Sequence, residues 1–168
     1  MKKEQLIKLV NCGILNMTAH DLDTAHSYKA FKLKREVEKH YNETQEEQKA
    51  ILKSVGITEQ MENEVKDLYE KAKLSPKEPL TDKEKELLIS YNRLQDKAKK
   101  VIAEANKEEV SLDIKTIPYK EWRELQKENR AKKINDYEFD ILGGEAEIIL
   151  EGIFWTEPQD EEPEKKDN

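Results

Sequence analysis

The sequence predicts a mainly α protein: a long antiparallel helical hairpin or coiled coil with a short strand and a small C-terminal helical segment. Charged residues make up 40% of the 168 residues and apolar ones 36%. That balance suits long solvated helices, which need apolar residues at only about two or three positions in seven. The sequence contains a stripe of residues at alternating spacings of four and three: Val37, Tyr41, Thr44, Gln48, Ile51 and Val55. Such a stripe is typical of helices packed side by side.

Two helices are predicted in the first third of the chain. A short amphipathic helix carries Leu6, Ile7, Leu9, Val10, Ile14 and Leu15. A long helix follows from about residue 21 to residue 53, with Thr18 or Asp21 available as its N-terminal cap. Gly56 is placed to end it in a left-handed conformation.

A third and a fourth helix complete the predicted hairpin. Thr58 can cap the third, whose stripe is Met61, Val65, Leu68 and Ala72, and a linker with two prolines follows it. Thr81 and Glu84 have the spacing of a capping box, the clearest helix start in the chain. The fourth helix then runs to about residue 106 with one apolar face: Leu87, Leu88, Tyr91, Leu94, Ala98, Val101, Ile102 and Ala105. We expect it to lie antiparallel to the long helix, with the third helix along or beyond their tip.

After residue 106 the apolar period changes to two, which predicts a half-buried strand over residues 110–114. The strand that pairs with it could come from another segment of the chain, from the tail or from another subunit, and the sequence does not decide between them. Pro118 is expected to open a short helix with Tyr119, Trp122 and Leu125. In the apolar segment 145–155, helical spacing favours a helix, with a strand as the alternative, and Gly143-Gly144 separates it from residues 139–142.

These elements predict one helical domain over residues 1–155, made of the hairpin 21–106 and a C-terminal subdomain 107–155. Residues 156–168 hold six acids, two lysines and two prolines. Such a composition buries almost no apolar area, so a disordered acidic tail is expected. Most of the formal net charge of −7 lies in this tail.

No pattern in the sequence predicts catalysis, a cofactor or a metal site. His20 and His26 are six residues apart, which places them on opposite sides of a helix, and neither belongs to an HExxH motif. Cys12 has no orienting partner that would make it a nucleophile. Gly143-Gly144 lacks the further glycines of a phosphate-binding loop. The protein is therefore predicted not to be an enzyme.

A basic run on the long helix is the main candidate contact for nucleic acid, and Arg130, Lys132 and Lys133 form a second, smaller cluster. The run on the long helix contains Lys29, Lys32, Lys34, Arg35 and Lys39. Glu36 and Glu38 lie among these cations and the chain is acidic overall, so a solvated face is the favoured interpretation and nucleic acid is an unlikely partner.

The candidate protein-binding residues lie in the C-terminal third. They are Trp122, Ile149, Ile153, Phe154 and Trp155. Large aromatic side chains dominate both cores and interfaces, so two interpretations stay open: core anchors, or a contact surface for a partner.

The compartment follows from what the chain contains. A single cysteine fits a reducing setting. No stretch reaches the roughly 18 apolar residues of a membrane span, and residues 1–20 lack the features of a signal peptide. We expect a protein of the cytoplasm that does not enter the membrane.

Several segments of the chain form one recognisable pattern: residues 30–35 (AFKLKR) and 45–53 (QEEQKAILK) of the long helix, the acidic turn 106–109, the strand 110–114 and the Ile117-Pro118 pair. In this pattern the chain resembles small helical proteins encoded by bacteriophages and prophages. Residues 57–79 resemble an insertion, and the glycine-rich residues 141–144 depart from the pattern. The resemblance implies a phage origin. It implies no activity, because none is established for that group.

Together these observations favour a phage structural or virion-assembly protein that acts by binding other phage proteins or itself, in the cytoplasm or in the virion. The alternative is a small adaptor or inhibitor of a host or phage enzyme.

Overall fold

The computed structural model describes residues 1–16, 24–74, 79–130, 133–134, 137–138 and 144–156. Its α-helices are α1 (Lys3–Asn11), α2 (Thr24–Ser54), α3 (Glu59–Leu74), α4 (Asp82–Ala105), α5 (Tyr119–Arg130) and α6 (Gly144–Leu150), with a 3-10 turn at Ile14–Asn16. The strands have two residues each: β1 (Ile117–Pro118), β2 (Lys133–Ile134), β3 (Tyr137–Glu138) and β4 (Trp155–Thr156). The predicted mainly α class with minor strands is confirmed.

The chain forms two compact units. Unit 1 combines Met1–Asn42 with Glu109–Asn168, and unit 2 is Glu43–Glu108. The boundary near residue 108 lies close to the predicted end of the hairpin, whereas the other boundary falls inside α2. The long helix therefore supplies its first half to one core and its second half to the other.

Unit 1 contains the larger core. The first half of α2 contributes a buried face at spacings of three and four, which extends the predicted stripe toward the N-terminus: Ala30, Leu33 and Val37. Packed with it are Leu6 and Leu9 of α1, Ile14 of the turn, Ile117, Trp122 of α5, Ala146, Ile149 and Leu150 of α6, Phe154 and Trp155. Burial of one face on each helix is what the amphipathic spacing predicted.

Residues 110–114 form an extended segment rather than the predicted strand. Val110, Leu112 and Ile114 are half-buried and the residues between them are exposed, so the alternation that suggested a strand is present. Among the described residues the segment forms no ladder, because its backbone pairs with another segment only at Val110. The Met1 ammonium donates to Val110 O at 2.9 Å and Val110 N–H donates to Met1 O at 2.7 Å, next to an isolated bridge between Lys2 and Glu109. Side chains of any extended chain alternate in direction, with or without a neighbouring strand.

Two ladders of two residues follow later in the described part of the chain, and in one of them β2 and β3 pair antiparallel, with Lys133 opposite Glu138. β1 and β4 pair in parallel, with Ile117 opposite Trp155 and Pro118 opposite Thr156, and Ile117 N–H donates to Phe154 O at 2.7 Å. Pro118 lies in β1, so the predicted short helix begins one residue after it, at Tyr119.

The apolar segment 145–155 combines both predicted alternatives. It is helical as far as Leu150, turns through Gly152, and ends in β4. Gly152 has a φ of +71°, in the left-handed region, and its N–H donates to Trp155 O at 2.8 Å. Glycine adopts this conformation without the Cβ penalty of other residues, which allows the turn at this position. Gly144 begins α6, and Gly143 lies outside the described residues.

Unit 2 is a helical hairpin with a small core. Gln48 Nε2 donates to Asn106 Oδ1 at 3.1 Å, and the Leu94 side chain lies near Gly56. Because Gln48 precedes Gly56 whereas Asn106 follows Leu94, α4 runs antiparallel to the second half of α2, as predicted. The third helix also packs on α4, with Lys71 Nζ 3.0 Å from Glu84 Oε1. The buried residues of this unit are Thr44, Ile57, Val65 and Ala98.

Most predicted helix-end signals in unit 2 are confirmed. Thr81 Oγ1 accepts from Glu84 N–H and Glu84 Oε2 accepts from Thr81 N–H, which completes the capping box. Thr58 Oγ1 accepts from Met61 N–H at 3.2 Å, and Gly56 has a φ of +98°. One position of the α4 face is wrong: Val101 is exposed, because Ala98 and Ile102 occupy the covered side of that turn.

Candidate protein-interaction surface

The five predicted binding residues come together, but inside unit 1. Trp122 is fully buried, Phe154, Trp155 and Ile149 are buried, and Ile153 is half-buried. Their burial agrees with the core-anchor alternative. Their part in binding a partner stays a prediction.

Aromatic pairs hold these residues in place. Trp122 and Phe154 meet edge to face, with ring centroids 5.8 Å apart and planes at 88°. Tyr119 and Trp155 lie 4.8 Å apart at 48°. Among the described residues, neither indole N–H finds an acceptor. The pairs join α5 to the turn after α6, and thereby fix the position of Phe154.

The first half of α2 carries two exposed aromatic side chains, Tyr28 and Phe31, with 66% and 57% of their surface accessible. Each borders a cavity of unit 1. One cavity has a volume of about 250 Å³ and is lined by Tyr28, Lys29, Lys32, Ile114, Lys115 and Phe154. The other has a volume of about 450 Å³ and, among the described residues, is bordered by one stripe of α2 alone: Tyr28, Phe31, Lys32, Arg35, Glu36 and Lys39. Tyr28 and Lys32 line both, so the two adjoin, and we call them together the α2 groove.

Ion pairs define one wall of the α2 groove. Lys29 Nζ contacts the Glu121 carboxylate, and Lys32 Nζ lies 3.4 Å from Asp113 Oδ2. Asp113 N–H also donates to Glu36 Oε2 at 3.2 Å. These contacts tie α2 to the extended segment and to α5. The expected solvated face is thus partly a packed one.

The remaining cations face solvent. Arg35 and Lys39 are exposed, and no carboxylate of the described residues lies within 4 Å of either. Five cationic side chains and one carboxylate line the α2 groove. After Glu121 and Asp113 are counted, the groove still has an excess of positive charge. Its apolar base, Ile114 and Phe154, gives it a mixed character.

The residues considered for catalysis or metal binding are scattered. Cys12 is a half-buried free thiol, and His40 Nε2 lies 3.9 Å from Glu36 Oε2 on the same helix. His20 lies outside the described residues, and the side chain of His26 is not described. The described part of the chain contains no cluster of three potential metal ligands, and none of its helices is long and apolar enough to cross a bilayer.

Unit 2 has a cavity of its own, about 390 Å³, between α3 and α4. Its lining residues are Glu64, Asp67, Leu68, Lys83, Glu84 and Leu87. Hydrogen bonds from Thr81 N–H, from the Lys71 ammonium and from the Thr81 hydroxyl lower the pKa of Glu84 to about 2. Because Glu84 is already engaged in the cap and in the α3 contact, we assign it a structural role.

Comparison with models of protein families, with curated proteins and with solved structures finds no match to this chain.

Tyr28 and Phe31 are surface residues that the sequence did not single out. A signal was available: with Ala30, Leu33 and Val37 on the buried face, a helical wheel places Tyr28 and Phe31 on the opposite side of α2, next to Arg35. The cavity itself had no such signal, because Ile114, Lys115 and Phe154 come from distant parts of the sequence.

Proposed function

We propose that this protein acts without catalysis, by binding another protein in the α2 groove, and that it serves as a phage structural or virion-assembly protein. The observation that carries the binding proposal is the pair of exposed aromatic residues, Tyr28 and Phe31, at the edge of two adjoining cavities. Contiguous exposed apolar surface of this kind marks interaction sites in soluble proteins.

The chemistry of the α2 groove favours an acidic segment with apolar side chains as its ligand. Arg35 and Lys39 offer cationic donors to carboxylates at one end. At the other end, Ile114 and Tyr28 offer an apolar surface of a size that suits one large side chain, next to buried Phe154. Aromatic and arginine side chains are those most often found at energetically important positions of interfaces.

The predicted binding residues fit this proposal in a supporting role. Phe154 lines the groove directly, and Trp122 packs on its ring. Loss of either side chain would change the floor of the groove through the core. Exposed Tyr28 and Phe31 are therefore better positions for a test than buried Ile149.

The phage assignment rests on the resemblance of residues 30–53 and 106–118 to phage-encoded proteins, and it identifies the expected partners as other phage proteins or a second copy of this chain. Recovery of a single host enzyme as the partner would instead support the adaptor or inhibitor alternative.

A pull-down with matched variants tests the proposal. Three tagged proteins are expressed in cells that carry the parent phage or prophage during lytic growth: the parent protein, its Phe31→Asp variant and an Ile89→Asp control. Bound proteins are identified by mass spectrometry. Ile89 is an exposed apolar residue of α4, in unit 2. We expect capsid, neck or tail proteins with the parent protein and the control, and their loss with Phe31→Asp. Equal recovery by all three contradicts the assignment of the groove.

A further inference from the structure

The α2 groove has a segment of complementary charge in its own chain. Residues 157–164, EPQDEEPE, contain five acids and no cation. Resting on the function proposed above, we propose that this acidic segment binds in the α2 groove of the same molecule and competes there with the protein partner.

The position where the segment begins supports this assignment. β4 ends at Thr156, and Phe154, two residues earlier, lines the groove with Lys29, Lys32 and Lys115. Thr156, the residue before the acidic segment, is thus only two residues from a side chain that lines the groove with three lysines.

The length of the segment is sufficient. Eight extended residues span at most about 26 to 29 Å. The helix from Tyr28 to Lys39 rises by about 17 Å. The segment can therefore follow the groove from the Phe154 end to Arg35 and Lys39 with several residues to spare.

Charge and tethering supply the driving force. Opposite charges at the rim attract, although exposed pairs contribute little each and are weakened by salt. The tether compensates, because a short linker gives an effective concentration in the millimolar range. A contact that is weak between separate molecules is then well populated within one molecule. A partner with a similar acidic segment must displace it.

The first test compares the amide NMR spectra of two full-length chains at low salt. One is the parent protein. The other carries Glu157→Gln, Asp160→Asn, Glu161→Gln, Glu162→Gln and Glu164→Gln, which keep the length and polarity of the segment and remove its charge. We expect amide shift differences at residues 28–39 and 114–115, and their disappearance in about 1 M salt, where the screening length falls to about 3 Å. No difference at those residues overturns the proposal.

The second test measures binding of a fluorescein-labelled peptide of residues 157–164 by anisotropy. We expect the neutralised chain to bind it about tenfold more tightly than the parent, the factor that applies when the effective concentration of the tethered segment is about ten times its dissociation constant. We expect the double substitution Arg35→Glu and Lys39→Glu in the neutralised chain to abolish peptide binding. The matched double substitution on α4, Lys99→Glu and Lys100→Glu, should leave peptide binding unchanged.

Three outcomes contradict the assignment: equal peptide affinity for the parent and neutralised chains, loss of binding in the α4 control, or preferential binding of labelled oligodeoxythymidylate without peptide binding. Preferential binding of the oligonucleotide would assign the groove to nucleic acid.

The pull-down separates this proposal from the proposed function. Phe31-dependent partner recovery without any effect of the tail charges leaves the function standing and removes the tail contact. Amide shifts that depend on the tail charges, without recovery of a partner, support the tail contact and remove the proposed function.

Discussion

The rings of Trp122 and Phe154 meet at 88° with centroids 5.8 Å apart, across 32 residues of sequence. This pair joins α5 to the turn after α6 and lies under the α2 groove. The groove that we propose as the binding site is therefore built on the largest buried side chains of unit 1.

Truncation of Phe154 should unfold or loosen unit 1. We expect Phe154→Ala to lower the free energy of unfolding by about 3 to 5 kcal/mol, because it removes a buried ring and leaves a cavity. Phe154→Leu should cost less, since it retains most of the apolar volume. Equilibrium urea denaturation measures both.

The matched control for that truncation is Phe31→Ala. Phe31 is more than half exposed, and substitutions at such positions usually change the free energy of unfolding by less than about 0.5 kcal/mol. If Phe31→Ala destabilises the protein as much as Phe154→Ala does, the exposed position assigned to Phe31 is wrong.

Removal of the cap on α4 should weaken unit 2. Thr81 Oγ1 accepts from Glu84 N–H, so Thr81→Ala leaves that donor without its side-chain acceptor. The expected loss is about 0.5 to 2 kcal/mol of the free energy of unfolding. Thr116→Ala, in an exposed position of the extended segment, serves as the control, and a similar loss there would argue against a capping effect.

The pH dependence of stability should contain a contribution from Glu84. Its pKa is lowered from 4.5 to about 2 by the bonds from Thr81 and Lys71. A depressed pKa in the folded state means that the unfolded state binds more protons, so stability falls with pH between about 4.5 and 2. The stabilisation is complete above this window and absent below it.

Two measurements check the Glu84 prediction. Carbon-detected NMR titration of the side-chain carboxyl should give a midpoint near 2, and the thermal midpoint of Glu84→Gln should vary less than that of the parent protein between pH 4.5 and 2. A carboxyl that titrates near 4.5 would mean that the cap bonds do not form in solution.

Replacement of Gly56 by alanine should destabilise unit 2 through the backbone. Gly56 has a φ of +98°, and an added Cβ would meet only Leu94 Cδ1, at 4.0 Å. The space is sufficient, so the expected cost of about 1 to 2 kcal/mol is that of a left-handed conformation for a residue with a Cβ. Gly152→Ala, at a φ of +71° in open space, should cost a similar amount. A much larger loss at Gly56 alone would indicate a steric clash with Leu94.

Local signals in the sequence predicted the helices well. Thr81 with Glu84, Thr58 and Gly56 mark helix ends whose hydrogen bonds join near neighbours in the chain, so their positions depend on a few adjacent residues. The stripe from Val37 to Val55 is buried or half-buried throughout, because the period of a helix fixes which residues share a face.

The strand prediction shows where such signals end. The alternation at residues 110–114 describes side-chain direction and says nothing about pairing. The pairing formed instead between Ile117 and Trp155, since a ladder needs a second chain segment at the right distance. That distance depends on how α5 and α6 pack.

The amino-acid sequence by itself thus determined the helical class, the helix ends and the faces that are covered, all of which follow from interactions between residues close in the chain. The tertiary structure decided which segments meet. It placed Trp122 and Phe154 in a core and opened a groove beside Tyr28 and Phe31. Contacts between distant segments depend on the packing of all the elements together, and no local pattern encodes that arrangement.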